Sequence, residues 1–230
     1  MMDKVNRYLI SDLDHRSPFV EAFRTLRANI RFVAVDKPLE SLLITSSAPT
    51  EGKSSVAANL AIAYAMNGKE VLLVDADLRR PTLHKYFSAS GSFGLTNILL
   101  GKRTIPDSVQ RTKIEGVSHL AAGPIPPNPT ELLGSSRMDE VLAEIKENYQ
   151  LVIVDTPPVL AVSDALLLAP KIDGTLFVTA ALGTKKDAAK AALASLKKAK
   201  ARVVGAVLNN FQIDHPSYYY YYYYSSEEKQ

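Results

Sequence analysis

The chain has 230 residues, 47% hydrophobic and 22% charged, enough to bury one sizeable core and, by length, to form one domain. Its formal net charge of +3 is too small to imply a nucleic-acid partner by itself, and the absence of cysteine excludes a disulfide framework and fits a reducing cytosol. No run of 18 apolar residues is present and the N-terminal MMDKVNRYLISDLDH lacks the apolar centre of a signal peptide, so neither a membrane span nor secretion is expected.

Residues 1–17 are polar and interrupted, and read as an irregular arm. Phe19, Phe23, Leu26 and Ile30 then fall on one stripe of a helix expected from Phe19 to Phe32. SLLITS (41–46) is a short apolar run, followed by a turn and a helix from Lys53 to about Asn67 that Gly68 closes. Further strands are expected in VLLVDAD (71–77), more weakly in GVSHLAAG (116–123), then in LVIVDTPP (151–158), GTLFVTA (174–180) and RVVGAVLNN (202–210). Helices are expected at Glu131–Tyr149, Ser163–Ala169 and Lys185–Lys200, with a short one near Leu95–Leu100. Strands apolar on both faces that alternate with helices imply an α/β fold: a mainly parallel sheet with helices on both faces. No internal repeat and no linker divides the chain, so residues 1–217 read as one domain and 218–230 as a flexible tail.

The richest segment is ITSSAPTEGKSS (44–55). It follows a strand and opens a helix, as a phosphate-binding loop does. Gly52 lets the backbone approach phosphates, while loop N–H groups and the helix N-terminus supply partial positive charge. Lys53 can reach the β- and γ-phosphates, and the Ser54 hydroxyl can ligate Mg²⁺. Ser47, Thr50, Glu51 and Ser55 complete the expected nucleotide-binding set; Ser47 stands where the usual pattern has its first glycine. Three carboxylates, Asp75, Asp77 and Asp155, lie at the ends of apolar strands, where an open parallel sheet binds its ligands. Asp75 and Asp77 are expected to have different tasks, one helping to hold Mg²⁺ and the other accepting a proton.

Taken together, SSAPTEGKSS, VLLVDADLRRPTLHKYF, GPIPPNPTELL, LVIVDTPPVLAVSDALLL, VGAVLNN and the terminal tyrosines resemble the bacterial protein-tyrosine kinases of capsule and exopolysaccharide synthesis, a deviant P-loop class related to the ParA and MinD ATPases. The resemblance runs from about Glu21 to Tyr224. It implies a Walker A loop at Ser47–Ser54, a second phosphate-site motif at Asp75, Asp77 and Arg79, and a Walker B aspartate at Asp155. It also implies an oligomerisation motif at Glu21, Arg24 and Arg27. Many members have Gly where this chain has Thr50. The implied protein is cytoplasmic, uses ATP and Mg²⁺, and assembles into a homo-oligomeric ring. A separate transmembrane modulator recruits it to the inner face of the membrane and activates it, and a cognate phosphotyrosine phosphatase opposes it; no nucleic acid is involved.

In that setting Tyr218, Tyr219, Tyr220, Tyr221, Tyr222, Tyr223 and Tyr224 are the expected phosphoacceptors. A protonated phenol, pKa about 10, needs a base, and Asp75 is favoured for it, with Ser54, Asp77 and Asp155 on the metal. Asn209, by analogy with related ATPases, is expected near the adenine. The tail starts close behind the last strand, so transfer is expected in trans, onto a neighbour's tyrosines. The alternative is a ParA/MinD-like positioning ATPase, but Ala48, Pro49 and Thr50 supply none of the early loop lysine of that class. His84, His119 and His215 lack metal-ligand spacing, and the lysines of 185–200 read as a solvated face.

Overall fold

A computed structural model describes residues 9–211. The tyrosine cluster expected at 218–224 therefore lies outside the described residues, as do residues 1–8.

The apolar runs become strands wherever both of their faces can be covered. The strands are β1 (Ser41–Ser46), β2 (Val71–Asp75), β3 (Val109–Arg111), β4 (Val117–Leu120), β5 (Leu151–Asp155), β6 (Gly174–Ala180) and β7 (Val203–Asn209). They form a single sheet in the order β3-β4-β2-β5-β1-β6-β7. All neighbours run parallel except β3, which is antiparallel to β4. The helices are α1 (Pro18–Val33), α2 (Lys53–Ala65), α3 (Leu95–Leu99), α4 (Pro129–Gly134), α5 (Ser136–Asn148), α6 (Asp164–Leu168) and α7 (Lys186–Lys198).

Side chains alternate across each strand, so the sheet feeds two cores. Leu43, Leu72, Val74, Val152 and Val154 pack beneath α3, α4, α5, α6 and α7. Leu42, Ile44, Leu73 and Ile153 pack beneath α1 and α2. The α2 helix is buried along Val56–Ala63 without a break, as expected for a helix with no polar face. The sheet lies under one side of it and α1 covers another: Val20, Phe23 and Ile30 of α1 are buried, each contributing about 1.5–3 kcal/mol.

Four expectations need correction. The strands expected to extend to residues 77 and 158 stop at Asp75 and Asp155, because the chain turns into loops at the carboxyl edge, whereas the strand expected within 116–123 is found at Val117–Leu120. The single helix expected over Glu131–Tyr149 is two helices: Ser135 adopts an extended conformation and caps α5, accepting from the Met138 N–H while its own hydroxyl donates to Leu132. The arm before α1 is not wholly irregular. A 3₁₀ turn at Ile10–Asp12 buries Ile10 completely, and the Ile10 N–H donates to Asn59 Oδ1 on α2 at 2.8 Å. The ridge expected from Glu21, Arg24 and Arg27 is divided. Arg24 pairs with Glu21 at 3.2 Å on the exposed face, whereas Arg27 turns inward and donates to the Ala63 carbonyl at 2.8 Å, near the C-terminal end of α2 where a cation is favoured.

His119 on β4 is fully buried beside Phe87, its Nδ1–H donating to the Leu73 carbonyl and its Nε2 without a partner. Burial lowers its pKa from 6.5 to about 4. The unfolded chain therefore takes up a proton at this residue before the folded chain does, and stability is lost as pH falls from about 6.5 towards about 4, by up to about 3 kcal/mol. Urea titrations across this window are expected to show a steeper loss for wild type than for His119→Leu.

Candidate nucleotide and phosphoryl-transfer site

The phosphate loop fills residues 47–52 between β1 and α2. Gly52 has φ +89°, and a Cβ there would come within 1.9 Å of Asn209 Nδ2, so glycine is required both by the turn and by the close approach. Asn209, the last residue of β7, donates through Nδ2 to the Glu51 carbonyl at 3.1 Å; the structure thus places its amide on the loop itself. Thr50 also lies in the left-handed region, at φ +67°, which is costly for a β-branched residue. Ser47 and Glu51 meet each other: the Ser47 hydroxyl donates to the Glu51 carboxylate at 2.8 Å, and the Ala48 N–H donates to it at 2.8 Å. Ser54 and Ser55 sit in the first turn of α2.

The sheet register brings the acids together. Asp75 and Asp155 end adjacent strands and are direct partners in the ladder. Lys53 reaches across from α2, its Nζ 3.3 Å from Asp77 Oδ2, 3.6 Å from Asp155 Oδ1 and 3.3 Å from the Ser54 hydroxyl. Burial opposes the charge on Lys53, yet Asp155, Asp77 and Asp75 outweigh it and hold its pKa above the ordinary value. Asp155 is fully buried, and neither of its oxygens has a hydrogen-bond partner of normal geometry. Burial raises its pKa, against the pull of Lys53 and the nearby Ser54 hydroxyl.

Asp75 is held differently. Its Oδ2 accepts from the Thr82 and Leu83 N–H groups, both at 3.0 Å, and its Oδ1 accepts from the Asp77 N–H at 3.2 Å. Burial, and next the charge of Asp155, raise its pKa to about 8. Asp77 accepts from the Arg80 N–H at 2.9 Å and faces Lys53. A divalent cation fits this donor set. Two buried Asp155 oxygens lack donors, the Ser54 hydroxyl lies beside them, and the Lys53 ammonium stands between Asp77 and Asp155. Among the described residues no cluster of three or more His, Cys, Asp or Glu could hold a metal unaided, so phosphate oxygens would have to share in holding it, as is common for Mg²⁺.

Two contacts were not legible in the sequence. Arg79 Nε donates to the buried Asp164 at 2.9 Å, and the Thr130 hydroxyl donates to the same carboxylate at 2.7 Å. This joins the loop after β2 to α4 and α6. Thr184, beyond β6, donates to Glu51 across 133 positions of chain. No local pattern marks either pairing, because an aspartate at a helix start and a threonine in a turn are ordinary surface features.

The two glycine-like positions of the loop separate in their expected response. Thr50→Gly exchanges strain for chain entropy and is expected to leave stability within about 1 kcal/mol of wild type. Gly52→Ala is expected to cost about 2 kcal/mol, through its φ and the displaced Asn209 contact. Thermal melting of the two variants checks the contrast.

Comparison with known proteins matches residues 44–172 to a family described as AAA domain. The tyrosine-protein kinase YwqD of Bacillus subtilis is 42% identical over 216 residues, covering 94% of this chain and 91% of the relative. The tyrosine-protein kinase etk of Escherichia coli K12 is 38% identical over 191 residues, or 83% of this chain but only 26% of that longer protein. The crystal structure of the chimerical protein CapA2B2 superposes with a TM-score of 0.86 at 40% identity, covering 89% of this chain and 90% of that one. The P-loop α/β architecture expected from the apolar runs is the one observed. On these relatives and this fold, the chain belongs to the bacterial tyrosine-protein kinases.

Proposed function

We propose that the chain transfers the γ-phosphoryl group of ATP to tyrosines of its own C-terminal cluster, Tyr218–Tyr224, on a neighbouring copy within a ring. The transfer would regulate capsular or exopolysaccharide synthesis. The observation that carries this reading is the meeting of Lys53 with Asp77 and Asp155 at the carboxyl edge of the sheet, beside a phosphate loop on which the last residue of β7 rests.

Each residue has a role in the reading. Loop N–H groups from Thr50 to Ser55 and the Lys53 ammonium neutralise the phosphates, and Ser54, Asp77 and Asp155 would hold Mg²⁺. The ion, when bound, would offset charge building on the β- and γ-phosphate oxygens. Asp75 would accept the phenolic proton in its ionised form, where a pKa raised to about 8 makes it a stronger base than an ordinary carboxylate; its Oδ1 receives a single backbone N–H, at 3.2 Å. Asp77 and Asp155 are already turned to Lys53. Arg79, clamped by Asp164, fixes the loop that carries Asp77.

Transfer between copies is supported by where the chain leaves the sheet. β7 ends at Asn209, on the phosphate loop, and the tyrosines follow after only a short stretch of chain, a tether better suited to a neighbour's site than to its own. Glu21 and Arg24 remain exposed on α1 for contact with a neighbour, whereas Arg27 serves α2. No helix among the described residues is long and apolar enough to cross a membrane. Recruitment to the membrane and activation are assigned to a separate transmembrane modulator, and dephosphorylation to a phosphatase. Each phosphate adds about −1.5 to −2 charges, so a heavily modified tail loosens the ring by repulsion.

Incubation with Mg-ATP and mass mapping of the tail are expected to find phosphotyrosine in wild type and none in Lys53→Met. Mixing Lys53→Met chains with active chains that lack the tail is expected to label the inactive chains' tyrosines, and bare tails would exclude transfer between copies. Asp75→Asn is expected to lower kcat by about 10²–10⁴ with ATP affinity retained, whereas Asp155→Asn weakens Mg-ATP binding.

A further inference from the structure

Glu51 places an acidic side chain inside a loop built to receive polyphosphate, an arrangement that charge alone disfavours. The structure shows how it is tolerated. Glu51 is 4% exposed. Its carboxylate accepts from the Ser47 hydroxyl and the Ala48 N–H on the first limb of the loop, and from the Thr184 hydroxyl on a separate segment. Thr184 in turn accepts from the Ala180 N–H at 2.9 Å, at the end of β6. The Glu51 carbonyl is held as well, by Asn209 of β7. One residue of the loop is thus tied through its side chain to β6 and through its main chain to β7.

Its neighbour is the strained one. Thr50 sits at φ +67°, and such a conformation persists only where the surroundings impose it. Glu51, fixed at both ends, imposes it. Released, Thr50 would relax towards negative φ, and the loop would have to be reordered whenever nucleotide binds. That ordering cost would appear in affinity.

We propose that Glu51 is a positioning residue for ATP: braced by Thr184, it holds residues 47–52 in the receiving shape before nucleotide arrives, and so sets ATP affinity rather than the rate of transfer. The proposal rests on the reading of this loop as the ATP site. It gives Glu51 a task that needs no contact with the nucleotide, and it makes Ser47, in the place of the pattern's first glycine, the internal partner of that acid.

The test uses the full chain and the Mg²⁺ complex of a non-hydrolysable ATP analogue, with calorimetric Kd, KM for ATP and kcat for tail phosphorylation. Thr184→Val removes the hydroxyl and keeps the shape. It is expected to raise Kd and KM about tenfold, with kcat changed less than about twofold, and Thr184→Ser is expected to restore the wild-type values. Glu51→Gln is expected to weaken binding to a similar degree. Adding Thr50→Gly to Thr184→Val is expected to recover part of the lost affinity, because the strain that the brace opposes is gone. The proposal is overturned if Thr184→Val binds the analogue as wild type does, or if its affinity, kcat and nucleotide-free melting temperature fall together. Lys53→Met separates the two levels. If Lys53→Met abolishes binding while Thr184→Val leaves it intact, the brace fails alone; if Lys53→Met binds normally, the loop's assignment fails and the proposal with it.

Discussion

Three aspartates gathered at the ends of two adjacent strands make a site that cannot be neutral in its own company. Asp75 and Asp155 are neighbours in the ladder, Asp77 follows two residues on, and all three are buried. Like charges this close in a poorly hydrated place repel strongly, and the structure answers with one ammonium, that of Lys53. Much of the fold can be read as what is needed to keep that cation there. The α2 helix carries it, so α2 is packed apolar on all sides; the phosphate loop starts α2, so Gly52 must turn where it does; and the sheet register puts the acids within reach.

One lysine does not balance three carboxylates, and the surplus is handled in two ways. Asp75 is satisfied by three backbone N–H donors and carries a raised proton affinity. Asp155 has the longer ion pair with Lys53, at 3.6 Å, but neither of its oxygens accepts a hydrogen bond. A buried acceptor without a donor is costly in a finished core, which makes Asp155 the most direct sign that the site is completed by something positively charged.

Much of this was legible in the residues. Runs such as SLLITS, VLLVD and LVIVD are apolar on both faces because helices cover both sides of the central strands, and that duplication survives into the sequence as an unbroken apolar string. β3 was not legible, being three residues long and half exposed at an antiparallel edge. The break at Ser135 was missed although Gly134-Ser135-Ser136 interrupts the apolar spacing between Leu133 and Met138; the apolar stripes on either side outweighed that short signal. Ile10 was lost in a polar segment, since its burial depends on Asn59 far along the chain. At the site, the Gly-Lys-Ser and strand-end aspartate signals are local and were readable. The Glu51–Thr184 and Arg79–Asp164 pairings are contacts between distant segments whose residue types are commonplace, and only the folded chain brings them together.

Asn209 ends the sheet and at the same time caps the space over Gly52. The root of the C-terminal extension and the floor of the nucleotide cradle are therefore one joint rather than two parts linked by slack. A segment anchored this way starts from a fixed address, because its origin turns with the loop on which Asn209 rests.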